Sequence, residues 1–140
     1  MLLLATYREG VRKEDSKGRK PLQIACMEGA SFYIIKLLTL RYRTAVREPD
    51  NNGRTPLHLA YIARALIETI KLLAEQYPEV GGLKDKEGFS PLHLACQFGL
   101  SVEAIEVVFQ NCPPAIRELN IHGHSPLQCD AQFHMPRIWK

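Results

Sequence analysis

The chain has 140 residues, 46% of them hydrophobic and 24% charged, an ordinary balance for one packed domain. Its net charge of +3 is too small to point to nucleic acid. No apolar run approaches the ~20 residues of a membrane span, and Met1-Leu2-Leu3-Leu4-Ala5 meets Tyr7, Arg8 and Glu9 well short of the about 7–15 apolar residues of a secretory signal.

A period organises the sequence. Gly18, Gly53, Gly88 and Gly123 lie 35 residues apart, and each is followed three residues on by Pro-Leu: Pro21-Leu22, Pro56-Leu57, Pro91-Leu92 and Pro126-Leu127. One supersecondary unit is therefore used repeatedly, which favours the display of a surface over the enclosure of an active site. In this register residues 1–14 form half a unit, with Met1-Leu2-Leu3-Leu4 aligned on Lys36-Leu37-Leu38-Thr39. Full units follow at 15–49, 50–84 and 85–119, and a degenerate half unit at 120–140. The apolar start has no partner in this count, so self-association or an upstream unit is expected there.

Each unit opens on a turn. Asp15, Asp50, Asp85 and Asn120 precede the glycines by three residues; Asx side chains bond nearby backbone and Gly supplies positive φ. Thr55, Ser90 and Ser125 then stand before proline, an N-cap with Pro at the first helical position. Lys20 holds that place in the first unit without a capping oxygen, so its helix is expected to be weaker by about 1 kcal/mol. Gly29 and Gly99 mark the turn to a second helix; Arg64 stands in the middle unit, where a different turn or a longer first helix is expected. In the second helices Ile35, Ile70 and Ile105 form one column, Leu37, Leu72 and Val107 another, and Leu38, Leu73 and Val108 a third, which predicts stacked apolar stripes. A repeated loop closes each unit, as in Tyr42–Arg47, Tyr77–Gly82 and Cys112–Arg117.

Gly53-Arg54-Thr55-Pro56-Leu57-His58-Leu59-Ala60 resembles the ankyrin repeat signature at each fixed position, and Gly88–Ala95 differs only by Ser90 for Thr. The likeness recurs in phase over essentially the whole chain. It implies an all-α ankyrin-repeat solenoid: stacked helix-turn-helix pairs with projecting turns, as half a unit, three full repeats and half a unit. The period is longer than the usual ~33; one extra residue is expected between the helices and one in the outer loop. Lys20 and Gln23 replace Thr and His in the first unit, and Asp130 replaces the small packing Ala in the last. A covered carboxylate there would be costly, so that helix is expected to be solvated or frayed.

Candidate chemistry dissolves into the period. His58 and His93 resemble the family's structural histidine rather than a catalytic base. Cys26 and Cys96 sit beside the packing Ala as small hydrophobes, with no base repeating alongside them. They are two units apart, too far for the about 7 Å of a disulfide, so reduced thiols in an intracellular and cytoplasmic setting are expected. His122, His124, Cys129 and His134 carry ligand chemistry, but their spacing matches no common zinc pattern; metal binding is the lesser reading beside a solvated tail. No cofactor and no enzyme activity are expected.

The resemblance implies a protein-binding scaffold or adaptor. In such arrays turn tips and first helices line a concave surface whose varying residues select the partner. The matching positions are Lys17, Arg19, Asn52, Arg54, Glu87 and Phe89 on the turns, with Ser16, Asn51 and Lys86 beside them. On the helix ends they are Met27, Glu28, Ile62, Gln97 and Phe98, with Ala63 beside them. Phe89 and Phe98 are expected as exposed anchors, or as rings folded back onto the neighbouring unit. Residues 1–55 hold 11 Lys/Arg against 6 Asp/Glu, which favours an acidic partner there or a solvated face. The alternative is a recognition or regulatory segment of a longer multidomain protein.

Overall fold

The structure, a computed structural model, describes residues 15–129. The expectations for Met1–Leu4, Asp130 and His134 lie outside the described residues. Among the described residues the architecture is helical and without strands: inner helices α1 (Pro21–Glu28), α3 (Pro56–Ile62), α5 (Pro91–Gln97) and α7 (Pro126–Cys129), and outer helices α2 (Phe32–Arg41), α4 (Ile67–Gln76) and α6 (Val102–Asn111). Each full-length inner helix packs on its own outer helix and on the next inner helix, and the outer helices pack on one another in chain order.

The periodic columns form the core. Leu22, Leu57 and Leu92 of the inner helices are buried, as are Ile35, Ile70 and Ile105, and Leu38, Leu73 and Val108, of the outer ones. Burying a side chain of this size is worth about 1.5–3 kcal/mol, so the repetition itself supplies much of the stability. Leu37, expected in a stacking column, is instead 41% exposed. Its column-mates are packed: Val107 is buried and Leu72 is half-buried against the core, so the column opens at α2 and not in the two later units.

The closing loops are not irregular. Arg43–Arg47, Pro78–Gly82 and Pro113–Arg117 are single-turn 3-10 helices. Their i→i+3 bonds run from Ala45 N to Tyr42 O (3.0 Å), from Val80 N to Tyr77 O (2.9 Å) and from Ala115 N to Cys112 O (3.0 Å). Ala45, Val80 and Ala115 are thereby driven into the core. A five-residue element is too short to show a helical period, which is why it reads as loop.

The middle inter-helix turn also differs from expectation. Arg64 adopts φ 56°, the same left-handed conformation as Gly29 (72°) and Gly99 (63°). The closing bond is shared too: Ala30 N to Ala25 O (2.9 Å), Ala65 N to Ala60 O (2.9 Å) and Leu100 N to Ala95 O (3.1 Å). The turn is thus the same and α3 is no longer than α5; the array imposes the geometry on a residue that disfavours it. Two residues on, Leu66 is the N-cap of α4 with no side-chain bond, whereas Ser31 and Ser101 accept from Ile34 N (3.4 Å) and Ala104 N (3.2 Å). Arg64→Gly and Leu66→Ser copy the neighbouring units. Each is expected to raise stability by about 1 kcal/mol in urea unfolding, with unchanged helix content.

Candidate functional site

The candidate surface is built by the turns and the inner helices that follow them. Each turn is closed by its own Asx residue. Asp50 Oδ1 accepts from Asn52 N (2.8 Å) and Arg54 N (3.0 Å), while Asp50 N donates to Arg54 O (2.9 Å). Asp15, Asp85 and Asn120 repeat the pattern in their turns. Neighbouring tips are joined through backbone, Asn51 N to Lys17 O (3.0 Å) and Lys86 N to Asn52 O (2.9 Å). Glycine is needed at this seam on two counts. Gly53 has φ 75°, and a Cβ there would meet Lys86 N at 2.9 Å.

A side chain at the third helical position locks each turn to the next. His58 Nδ1 accepts from Thr55 N (3.1 Å), so the ring proton sits on Nε2, which donates to Phe89 O (2.9 Å). His93 does the same between Ser90 N (3.2 Å) and His124 O (2.9 Å). In the first unit Gln23 supplies both functions: Oε1 accepts from Lys20 N (2.6 Å) and Nε2 donates to Glu48 O (2.8 Å) and Arg54 O (3.2 Å). The helix lacking a capping hydroxyl thus keeps half of its cap, because glutamine presents an acceptor and a donor much as neutral imidazole does. These three side chains are buried.

Burial sets the character of the titratable groups inside the frame. Burial holds the His58 imidazole well below its ordinary range, at about 4, and lowers that of His93 in the same direction. Burial pushes the Cys26 thiol up to about 12, which leaves no thiolate at neutral pH. Among the described residues Cys26, Cys96 and Cys112 form no disulfide. His122 and His124 are exposed with ring centroids 6.3 Å apart, and among the described residues no group of three or more His, Cys, Asp or Glu comes together as a metal site requires.

The residues expected to meet a partner fall into four columns of the array. Lys17, Asn52 and Glu87 are exposed at successive tips. Arg19, Arg54 and Phe89 are half-buried at the feet of the turns. Arg19 Nε pairs with Asp15 (2.9 Å), Arg54 Nε reaches Asp85 of the next turn (3.4 Å), and the Phe89 ring stands edge-on to His93 at 6.1 Å. Met27, Ile62 and Gln97 are half-buried along the inner helices. Glu28 and Phe98 are exposed at the ends of α1 and α5, with Ala63 half-buried between them in the column. Of the two aromatic rings, Phe98 is thus the open one, at 37% exposure, and Phe89 leans on the frame.

The match of a family model for ankyrin repeats, in three copies over residues 1–82, decides the family. The chain belongs to the ankyrin repeat family. No curated protein matches it. Ankyrin repeats are generally modules for binding other proteins, and among the described residues no helix is long and apolar enough to cross a membrane.

One residue of the ankyrin frame escapes a reading by motif. Tyr61 stands in the column of Cys26 and Cys96, is fully buried, and donates from its hydroxyl to Ala104 O at 2.6 Å. Its signal is a compensating pair: a large residue at 61 and a small one at 104, where the same column carries Ile34 and Thr69.

The two histidines give the array a pH response. Unfolded, His58 titrates near 6.5; folded, near 4. Between these values the unfolded chain binds the proton and the folded one does not, so stability is complete above 6.5 and falls as pH drops toward 4. The His58 share is on the order of 3 kcal/mol. His58→Gln, which installs the residue of the first unit, is expected to preserve folding at pH 7 and flatten this slope. His58→Ala strands Thr55 N–H and is expected to lose about 3 kcal/mol at neutral pH. Chemical unfolding at pH 7.5, 6 and 5 distinguishes them.

Proposed function

We propose that this ankyrin array is a non-catalytic scaffold or adaptor that binds another protein through the face formed by its turn tips and inner helices. The observation that carries the reading is the contrast between frame and face within one chain. Gly, Pro, Leu and the locking His or Gln return at their places, while the tips change from Lys17 to Asn52 to Glu87 and the helix ends from Glu28 to Ala63 to Phe98. A frame held constant under a face that varies is suited to recognition by an extended surface. The absorption of His58, His93 and Cys26 into packing supports a role without catalysis. Cysteines held outside disulfides support a reducing, intracellular setting.

Phe98 is the proposed anchor of the face, with Gln97, Ile62 and Met27 beside it on the inner helices. Arg54 and Arg19 contribute their outer edges, since both are engaged in ion pairs. At the first tip Lys17 offers the exposed cation for an acidic partner, because Arg19 pairs with Asp15 and Lys20 with Glu48 (3.4 Å).

A photo-crosslinking residue at 98 is expected to capture a defined protein partner, and the same residue at exposed Glu79 on the far 3-10 turn is not. With that partner, Phe98→Ala is expected to weaken binding about tenfold and to leave the melting temperature nearly unchanged. Phe89→Ala is expected to lower both affinity and stability, the latter by about 1 kcal/mol. Loss of stability without loss of affinity in both variants would place the partner elsewhere.

A further inference from the structure

The outer helix α2 differs from its two counterparts on the side turned to solvent. Tyr33, Leu37 and Leu40 are 75%, 41% and 50% exposed. One period on, the places of Tyr33 and Leu40 hold exposed Glu68 and Glu75; two periods on, exposed Glu103 and Gln110. The stack therefore needs nothing apolar at the places of Tyr33 and Leu40, for which α4 and α6 serve as internal controls; the place of Leu37 holds half-buried Leu72 and buried Val107. Apolar side chains gathered on one exposed stripe, where the sister helices are polar at two of its three places, mark an interaction surface.

Spacing and charge define what fits it. Tyr33, Leu37 and Leu40 are four and then three residues apart, the d–a–d spacing of a helix-pairing seam. Lys36 precedes the central residue and Arg41 follows the last, which are the g and e places whose charges select a partner helix. Both are exposed and neither has an ion pair among the described residues. Lys36 Nζ lies 6.0 Å from the Phe32 ring centroid, which keeps it along the edge of the stripe. The helix Phe32–Arg41 contains no acidic residue.

We propose that this face of α2 docks an amphipathic helix of a partner protein, with apolar residues at heptad spacing and Glu or Asp at the flanking positions. A second copy of this chain suits the face poorly, since a two-fold pairing would set Lys36 and Arg41 against the same cations. The surface lies on an outer helix and stands independently of the face assigned to the turn tips and inner helices.

The test uses two synthetic peptides of three heptads, both with Leu at a and d, one with Glu and the other with Lys at e and g. The full chain is expected to bind the Glu peptide at least tenfold more tightly than the Lys peptide. Tyr33→Glu with Leu40→Gln, residues borrowed from the sister helices, should cut that binding at least tenfold while the melting temperature holds. Lys36→Glu with Arg41→Glu should reverse the preference between peptides. Equal binding of both peptides, or none of the Glu peptide, overturns the proposal. So does a dimer in sedimentation that the Tyr33/Leu40 variant dissolves, which would assign the face to a second copy. Protection of Tyr33 from chemical modification in the isolated monomer would assign it to the chain itself and is equally decisive against a partner.

Discussion

The bond from the third residue of each inner helix to the carbonyl of the following turn carries the architecture. It joins two requirements that a stacked array must satisfy together. The helix N-terminus has amides without intrahelical partners, and the next turn has a carbonyl whose second lone pair would be buried unused. A single side chain with an acceptor on one edge and a donor on the other meets both. His58 links Thr55 to Phe89, His93 links Ser90 to His124, and Gln23 links Lys20 to Arg54. The separation is 31 residues each time, so the helix cannot shift against the next turn without breaking two bonds at once. Because the three linking side chains are buried, an unmet group on them costs more than the bond gains. Local helix ends are thereby converted into long-range order.

Function follows from where that locking leaves freedom. The turn is fixed by its Asx oxygen, its glycine and the incoming Nε2, all of which act through backbone or buried atoms. The side chains at the tip take no part in the closure and can carry any chemistry, which is why Lys17, Asn52 and Glu87 replace one another without altering the turn. The outer helices are freer still on their solvent side. The place of Tyr33 is not among the buried positions of these helices, so Tyr33 can stand where Glu68 and Glu103 stand. Two surfaces on opposite elements of the same unit are therefore open to independent specialisation.

What could be read from the sequence was whatever the period forces to recur. The Gly-Pro-Leu columns, the Asx turns and the Ile35/Ile70/Ile105 stripe are read directly because their chemistry is the same in every unit. The 3-10 turns were opaque because five positions show no helical periodicity, although Tyr42 and Tyr77 recur ahead of two of them. Arg64 pointed to a changed turn because propensity disfavours positive φ outside glycine; the packing of α3 on α4 overrode it. On the face, the columns of candidate residues were legible, but not which ring was open. The lean of Phe89 on His93 depends on a contact between side chains that no spacing encodes.

The middle unit shows how such an array distributes its burdens. It holds the strained Arg64 and the uncapped Leu66, yet it also reaches its neighbour through three side chains. Tyr61 reaches across to Ala104, Arg54 to Asp85, and the Arg64 guanidinium to Phe98 O at 3.3 Å. In a stack where each unit touches only those beside it, stability is the sum of unit and interface terms. An interior unit has two interfaces and can retain local flaws that a terminal unit cannot. Beyond the third full unit the inward half of the lock recurs, with Gln128 Oε1 accepting from Ser125 N at 2.8 Å.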